Sequence, residues 1–234
     1  MMPSLRRTVE RYAYSVRNLV APRYCLVCGR RLSYGERYCC LGCLAAFPYT
    51  YTWVPGNDQV ERLFSVHIPL ERAASLVRYN EVTRRFLLSV KYFSAPKIGE
   101  YVGEIMANRL LPTGFFRGVD VIVPIPLYKV RARERGYNQS DCIARGLSRK
   151  TGLPMDAGVV VRTRHNPTQT HLTRMERREN VRDLFAVTHP ERLQGKHILL
   201  IDDVLTTGST LLSCAVVLAE VPGVTLSILT FARA

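Results

Sequence analysis

Two groups of residues in this chain have the types and spacing that chemistry needs. The first is a pair of thiol knuckles, Cys25-Leu26-Val27-Cys28 and Cys40-Leu41-Gly42-Cys43, with eleven residues between them. Two such pairs can converge four thiolates on one tetrahedral zinc ion. Gly29 and Gly42 supply the backbone freedom that tight knuckles require. Cys39 could take the place of Cys40, but only Cys40 completes a second CxxC with Cys43, so Cys25, Cys28, Cys40 and Cys43 are the preferred set. A redox pair and chance clustering are the competing readings. If zinc binds, four protein ligands leave no open position, and its role is structural.

The second group is Ile198-Leu-Leu-Ile-Asp202-Asp203-Val-Leu-Thr206-Thr207-Gly208-Ser209-Thr210. An apolar strand ends in two carboxylates, a hydroxyl-rich loop follows, and an apolar helix begins. Ligands of parallel sheets sit at the carboxyl ends of the strands. The start of a helix offers unpaired N–H groups and a partial positive charge, which suit a monophosphate. Gly208 would let the backbone approach closely, and Thr206, Thr207, Ser209 and Thr210 would add hydroxyl donors. Asp202 and Asp203 would accept hydrogen bonds from a ribose diol, or face a magnesium ion, which prefers carboxylate and phosphate oxygens. An ordinary helix cap accounts for one of these residues but not for two acids, four hydroxyls and a glycine in sequence. No Gly-Lys-Ser/Thr occurs here, so this is not a P-loop.

These groups need elements to position them. Strands are expected at Val119–Leu127, Gly158–Arg162, His197–Ile201 and Thr225–Phe231, with helices at 98–111, Asn138–Lys150 and Ser209–Glu220. Apolar strands alternating with helices predict an α/β fold, a parallel sheet flanked by helices. Residues 44–70, rich in tyrosine and proline, read as a linker with short strands. Leu5, Val9, Tyr12, Val16 and Leu19 have a helical period, with Arg6, Arg7, Arg11 and Arg17 off the stripe. A helix docked on its own domain is favoured there over a contact with lipid or a partner. Four segments result: an amphipathic basic helix at 1–20, a four-cysteine zinc finger at 21–50, a linker and hood-side segment at 51–118, and the α/β domain at 119–234.

The 234 residues carry 33 Lys and Arg against 19 Asp and Glu, a net charge of +14. The excess is concentrated. Residues 1–43 hold eight basic and two acidic groups, residues 129–150 seven and two, and residues 162–182 six and two. Localised cationic charge suits an anionic partner such as nucleic acid or a phosphate-rich substrate, although a solvated basic face has the same composition. Hydrophobic residues at 47% allow a packed core and exclude wholesale disorder. The longest nearly unbroken apolar run, Leu211 to Val221, is too short to span a bilayer, and no secretory signal is evident, so a cytoplasmic protein without a disulfide framework is expected. Cys142 and Cys214 sit alone in apolar helical contexts and read as buried structural thiols.

The stretch around Asp202 resembles the signature of type I phosphoribosyltransferases, which bind 5-phosphoribosyl 1-pyrophosphate (PRPP). The likeness extends to Asp120-Val-Ile-Val-Pro124-Ile-Pro126-Leu, to Arg135-Gly136-Tyr137-Asn138-Gln139, and to Arg162, Gln169, Arg177, Asn180 and Phe185. With the knuckles and Lys91-Tyr92, it is similar to the ComF family of competence proteins, ComFC type. The resemblance implies a type I phosphoribosyltransferase-like domain behind an N-terminal zinc ribbon and a role in natural DNA uptake. It implies binding of PRPP or a related ribose phosphate with magnesium, and of single-stranded DNA. Implied partners are a competence helicase or other uptake proteins, at the inner face of the cytoplasmic membrane. On it, Asp202 and Asp203 would hold the ribose hydroxyls and Thr206 to Thr210 the 5-phosphate. Leu127, Tyr128 and Lys129 would approach the pyrophosphate, with Arg135, Gly136, Asn138 and Gln139 nearby. Arg162, Gln169, Arg177 and Asn180 would belong to a hood. A phosphoribosyltransferase acting on an unknown base or amine is the alternative, although no residue stands out as a general base.

Overall fold

The computed structural model describes residues 19–65, 67–92, 96–128, 136–163 and 184–234. Four strands form one sheet: β1 (Arg72–Arg78), β2 (Val121–Pro124), β5 (His197–Leu205) and β6 (Thr225–Arg233), in the order β1-β6-β5-β2. All neighbouring pairs are parallel, with Val121 opposite Ile198, Ile198 opposite Leu226 and Arg72 opposite Ser227. The expected parallel sheet is therefore present. A separate antiparallel ribbon joins β3 (Val160–Arg162) to β4 (Phe185–Val187). The helices are α1 (Leu41–Ala45), α2 (Glu81–Tyr92), α3 (Pro96–Leu110), α4 (Gln139–Thr151) and α5 (Ser209–Ala219).

The strands are near-continuous apolar runs because both faces of the sheet are covered. Leu199 and Ile201 of β5, with Leu229 and Phe231 of β6, face a core shared with α3, α4 and the cysteine module. Ile198 and Leu200, with Leu226 and Ile228, face a second core shared with α5, Val60 and Phe64. On the first face α3 and α4 cross at Gly103 and Gly146. A Cβ on Gly103 would lie 2.1 Å from the Ile143 carbonyl oxygen, and one on Gly146 1.9 Å from that of Glu100. Only glycines permit so close a crossing.

Several boundaries differ from the sequence expectation. The strand expected at Val119–Leu127 is confined to Val121–Pro124. Ile125 still donates its N–H to the Ile201 carbonyl at 2.9 Å, and the ladder with β5 goes no further. β5 does not stop before the acids but runs through Asp202 and Asp203 to Leu205, because its partner β6 continues alongside to Arg233. Among the described residues of 44–70 no strand forms. The chain makes a bridge at Tyr49 and a short 3₁₀ turn at Glu61–Leu63, and buries Val60 and Phe64. Burial of these two makes the segment part of the core rather than a solvated linker. β1, α2 and α3 arise from the stretch between residues 71 and 111, and β1 completes the sheet against β6. Of the basic helix expected at 1–20, residues 1–18 lie outside the described residues.

Candidate functional site

In the cysteine module, Cys25, Cys28, Cys40 and Cys43 bring their sulfurs within 4.8 Å of one another. A tetrahedral zinc ion with Zn–S bonds of about 2.3 Å sets sulfurs about 3.8 Å apart. Cys28 Sγ and Cys40 Sγ are 3.8 Å apart. The donor set fits zinc, and it includes Cys40 rather than Cys39. Cys39 turns inward, fully buried, and burial pushes its thiol well up. Burial would also raise the Cys25 thiol. Backbone N–H groups, that of Cys40 at 3.4 Å among them, outweigh this and hold it at about 6, ready to bind a cation. The module is anchored to the domain by Arg37, which donates to Glu104 of α3 at 2.8 Å, while Arg149 of α4 donates to Glu104 and Glu100. Tyr38 meets Tyr101 edge to face at 5.4 Å.

The second cluster sits at the carboxyl end of the sheet. Asp202 and Asp203 are half-buried on β5. Asp202 Oδ1 accepts from Ser140 Oγ at 2.8 Å and from the Asp203 N–H at 2.9 Å. Thr206 and Thr207 are exposed in the following loop. Gly208 then caps α5 with φ 78°, a left-handed conformation that glycine adopts without strain. A side chain there would also press the Phe64 ring at 3.3 Å. Ser209 is exposed, Thr210 half-buried, and the Thr207 and Ser209 hydroxyls lie 2.8 Å apart. Asp202, Thr206, Gly208, Ser209 and Thr210 together line a small cradle of about 30 Å³. Hydroxyls, the first N–H groups of α5 and a carboxylate thus converge on one open spot.

The neighbouring strand supplies the rest of this edge. Leu127 and Tyr128 follow β2, half-buried. Gly136 turns with φ 75° toward α4. Asn138 caps α4 by accepting from the Ser140 N–H, and its Nδ2 donates to Ile125 O and to Asp141 Oδ1. Asn138 therefore ties the post-β2 segment to the helix. Gln139 is buried beside it. Arg162 is placed elsewhere, at the end of β3, with its guanidinium 5.6 Å from the Phe185 ring. Lys129, Arg135, Gln169, Arg177 and Asn180 lie outside the described residues. Burial, then the charge of Asp202, push the Cys214 thiol up, and Cys142 is likewise buried, as expected of structural thiols.

Sequence reasoning passed over Ser140 and Phe64. Ser140 follows the Asn138-Gln139 pair in the first turn of α4, and nothing local in the sequence signals its contact with Asp202 on β5. Phe64 gave no signal, because its contact with Gly208 is long-range.

Residues 89–232 match the family described as phosphoribosyl transferase domain. The chain belongs to that family. Among curated proteins, the chain is similar to the DNA utilization protein YhgH of Escherichia coli K12, 28% identical over 212 residues that cover 84% of this chain and 91% of that one. It is 39% identical over 93 residues to competence protein F of Haemophilus influenzae, covering 39% and 41% of the two chains. With competence protein ComFC of Bacillus subtilis it shares 30% over 145 residues, 61% and 55% of the chains. ComF-type competence and DNA-utilization proteins are thus among its relatives. A solved structure of the allosteric regulatory enzyme of purine biosynthesis aligns with TM-score 0.41 at 20% identity. That alignment takes in 60% of this chain and 29% of that enzyme, so the chain spans under a third of its length. No helix among the described residues is long and apolar enough to cross a membrane.

Proposed function

We propose that this phosphoribosyltransferase-family chain binds PRPP or a related ribose phosphate at Asp202–Thr210, binds single-stranded DNA, and serves DNA uptake in natural transformation. The observation that carries the reading is the acidic pair on a buried strand, beside a glycine-started helix with exposed hydroxyls. A ribose 5-phosphate has this pattern in reverse: a diol to donate and a phosphate to accept. Thr206 to Thr210 take the phosphate, and Asp202 and Asp203 take the ribose diol. Magnesium suits the same carboxylates and would neutralise the pyrophosphate. In this reading Leu127, Tyr128 and Lys129 would approach that group, with Arg135, Gly136, Asn138 and Gln139 supporting it. Of the hood residues, Gln169, Arg177 and Asn180 would add charge and hydrogen bonds over it, whereas Arg162 sits at the end of β3 against the Phe185 ring and would have to turn from it to take part. The cysteine cluster holds structural zinc.

The DNA part rests on the basic segments and on the relatives' names. Its partners in this reading are DNA-uptake proteins, a competence helicase among them, at the inner face of the cytoplasmic membrane. A second reading, transfer of ribose 5-phosphate to a base or amine, is favoured by the same acids, both half-buried and reachable at the sheet edge. The test is a binding panel of PRPP, ribose 5-phosphate and single-stranded DNA, each with and without magnesium. Magnesium-dependent PRPP binding without turnover, together with salt-sensitive DNA binding, is the expected result. Replacing Arg131, Arg133 and Arg135 by Ala should flatten the salt dependence, by about 0.7 in log–log slope for each phosphate no longer neutralised. PRPP turnover with an added base or amine would establish the transferase reading instead.

A further inference from the structure

The segment from Tyr49 to Asp58 takes no part in the phosphate cradle, yet it carries an unusual aromatic group. Tyr51 and Trp53 lie 5.4 Å apart between ring centres, and Tyr49 meets Trp53 edge to face at 6.5 Å. The Arg109 guanidinium lies 4.3 Å from the Tyr49 ring centre and 5.9 Å from that of Tyr51. In a core this would be packing, but Tyr51 is 50% exposed and Arg109 is exposed too. Tyr51 is also the one non-glycine residue with positive φ, 58°, among the described residues. A bulky side chain is disfavoured there, and glycine would relieve the strain. Thr52 holds the loop in place, its Oγ1 donating to Ser75 O at 3.1 Å and accepting from Ser75 N at 3.0 Å. The ring is thus presented to solvent on a fixed support at a conformational cost.

Beside Trp53 opens a cleft of about 280 Å³, near the amino end of β1 and so at the sheet end opposite Asp202. Trp53 and Phe115 give it aromatic walls, while Asn57, Asp58 and Glu61 bring acceptor oxygens. Asn57 donates Nδ2 to Thr50 O at 3.2 Å, but its Oδ1, buried in the cleft wall, has no hydrogen-bond partner among the described residues. Cations stand around it. Arg109 lies over the tyrosines and Arg117 reaches beside Gly114, a lining residue, while Arg72 in the cleft wall is held by the Phe115 and Arg117 carbonyls. Aromatic walls, acceptor oxygens and flanking arginines match a flat ring with an amino edge on a phosphate-linked strand. A free amine would need no aromatic wall, and a bare phosphate would be repelled by Asp58 and Glu61.

We propose that Tyr51, Trp53 and this cleft are a base-stacking site for single-stranded DNA, preferring bases with an exocyclic amino group. The proposal rests on the reading that the chain binds single-stranded DNA, and assigns that binding a place distant from the phosphate cradle. Base–aromatic stacking is sequence-tolerant by itself, so the preference comes from the acceptor oxygens.

Trp53 is the chain's single tryptophan, so its emission reports directly on this site. The full chain is titrated with oligo-dC, oligo-dT and an abasic oligomer of equal length, following Trp53 emission and the anisotropy of a label on the DNA. Oligo-dC is expected to quench Trp53 and to bind several-fold more tightly than oligo-dT, and the abasic oligomer to leave the emission unchanged. Tyr51→Gly removes the ring while keeping the backbone conformation unstrained, and should weaken oligo-dC binding about tenfold. Unchanged zinc content and ribose 5-phosphate affinity in that variant certify its fold. If oligo-dC binds by anisotropy with Trp53 emission unmoved and Tyr51→Gly equally tight, the base site is overturned and DNA binding itself stands. If no oligomer binds even at low salt, the DNA reading falls, and this site with it.

Discussion

The cysteine cluster and the Asp202–Thr210 cradle are built from the same materials, a tight turn and a short helix, toward opposite ends. The four cysteines turn all their sulfurs toward one another, and the backbone around them is folded inward. The cradle leaves Thr206, Thr207 and Ser209 exposed and starts its helix with a glycine that has no side chain to cap it. One group is complete without anything from solution except a metal ion. The other, in the proposed reading, is completed by a ligand. Polar groups that satisfy each other report a scaffold, and polar groups held in place yet facing water report a site.

The widest gap between the two regions should appear when each loses its defining atoms. Cys25→Ser with Cys40→Ser should take zinc from one equivalent to none and unfold the module. Structural zinc contributes about 10 kcal/mol or more in small modules, so metal analysis and the thermal midpoint should both fall. Full zinc content in that variant would sink the metal assignment. Asp202→Asn with Asp203→Asn should instead leave the fold intact and weaken PRPP by about 3 kcal/mol or more, since each hydrogen bond to a charged group is worth about 1.5–3 kcal/mol. DNA affinity should be equal or slightly higher, because negative charge is removed. Calorimetric titration separates these effects, and Gly208→Val adds a contrast by abolishing ribose 5-phosphate binding as well. An Asn pair that binds PRPP like the parent would reduce the acids to a helix cap.

Two smaller changes sharpen the comparison. Cys39→Ser places a hydroxyl in a fully buried site and should cost about 1–3 kcal/mol of stability while zinc stays at one equivalent. Zinc loss there would make Cys39 the ligand. Ser140→Ala removes one hydrogen bond to Asp202 and should weaken PRPP by about 1 kcal/mol with little change in unfolding midpoint. Its failure to move PRPP affinity would show that the strand alone orients the carboxylate.

Much of this was legible in the sequence, for local reasons. The knuckles, the strand-acid-acid-loop-helix run and the alternation of strands and helices each lie within a few residues, where spacing speaks directly. The α4 start was also readable, since Asn138 is a typical cap. What escaped depends on distant residues. β5 extends past the acids only because β6 accompanies it, and Val60 and Phe64 are core only because the sheet lies beneath them. The crossing of α3 and α4 rests on Gly103 and Gly146, two glycines with no local sign of their partnership. Ser140 meets Asp202 across 62 positions of chain.

Phe47, from the end of the cysteine module, lies 5.7 Å from Phe86 and 6.1 Å from Phe231, ring centre to ring centre. Phe231 belongs to the last strand, so the first and last parts of the described chain close the same hydrophobic face. Cutting the protein at the apparent seam after residue 47 would not yield two working pieces. The larger fragment would carry an uncovered greasy face, sticky to itself and to chaperones, and its loss of function would say nothing about what the cysteines do. Dissecting this protein calls for point changes in the whole chain.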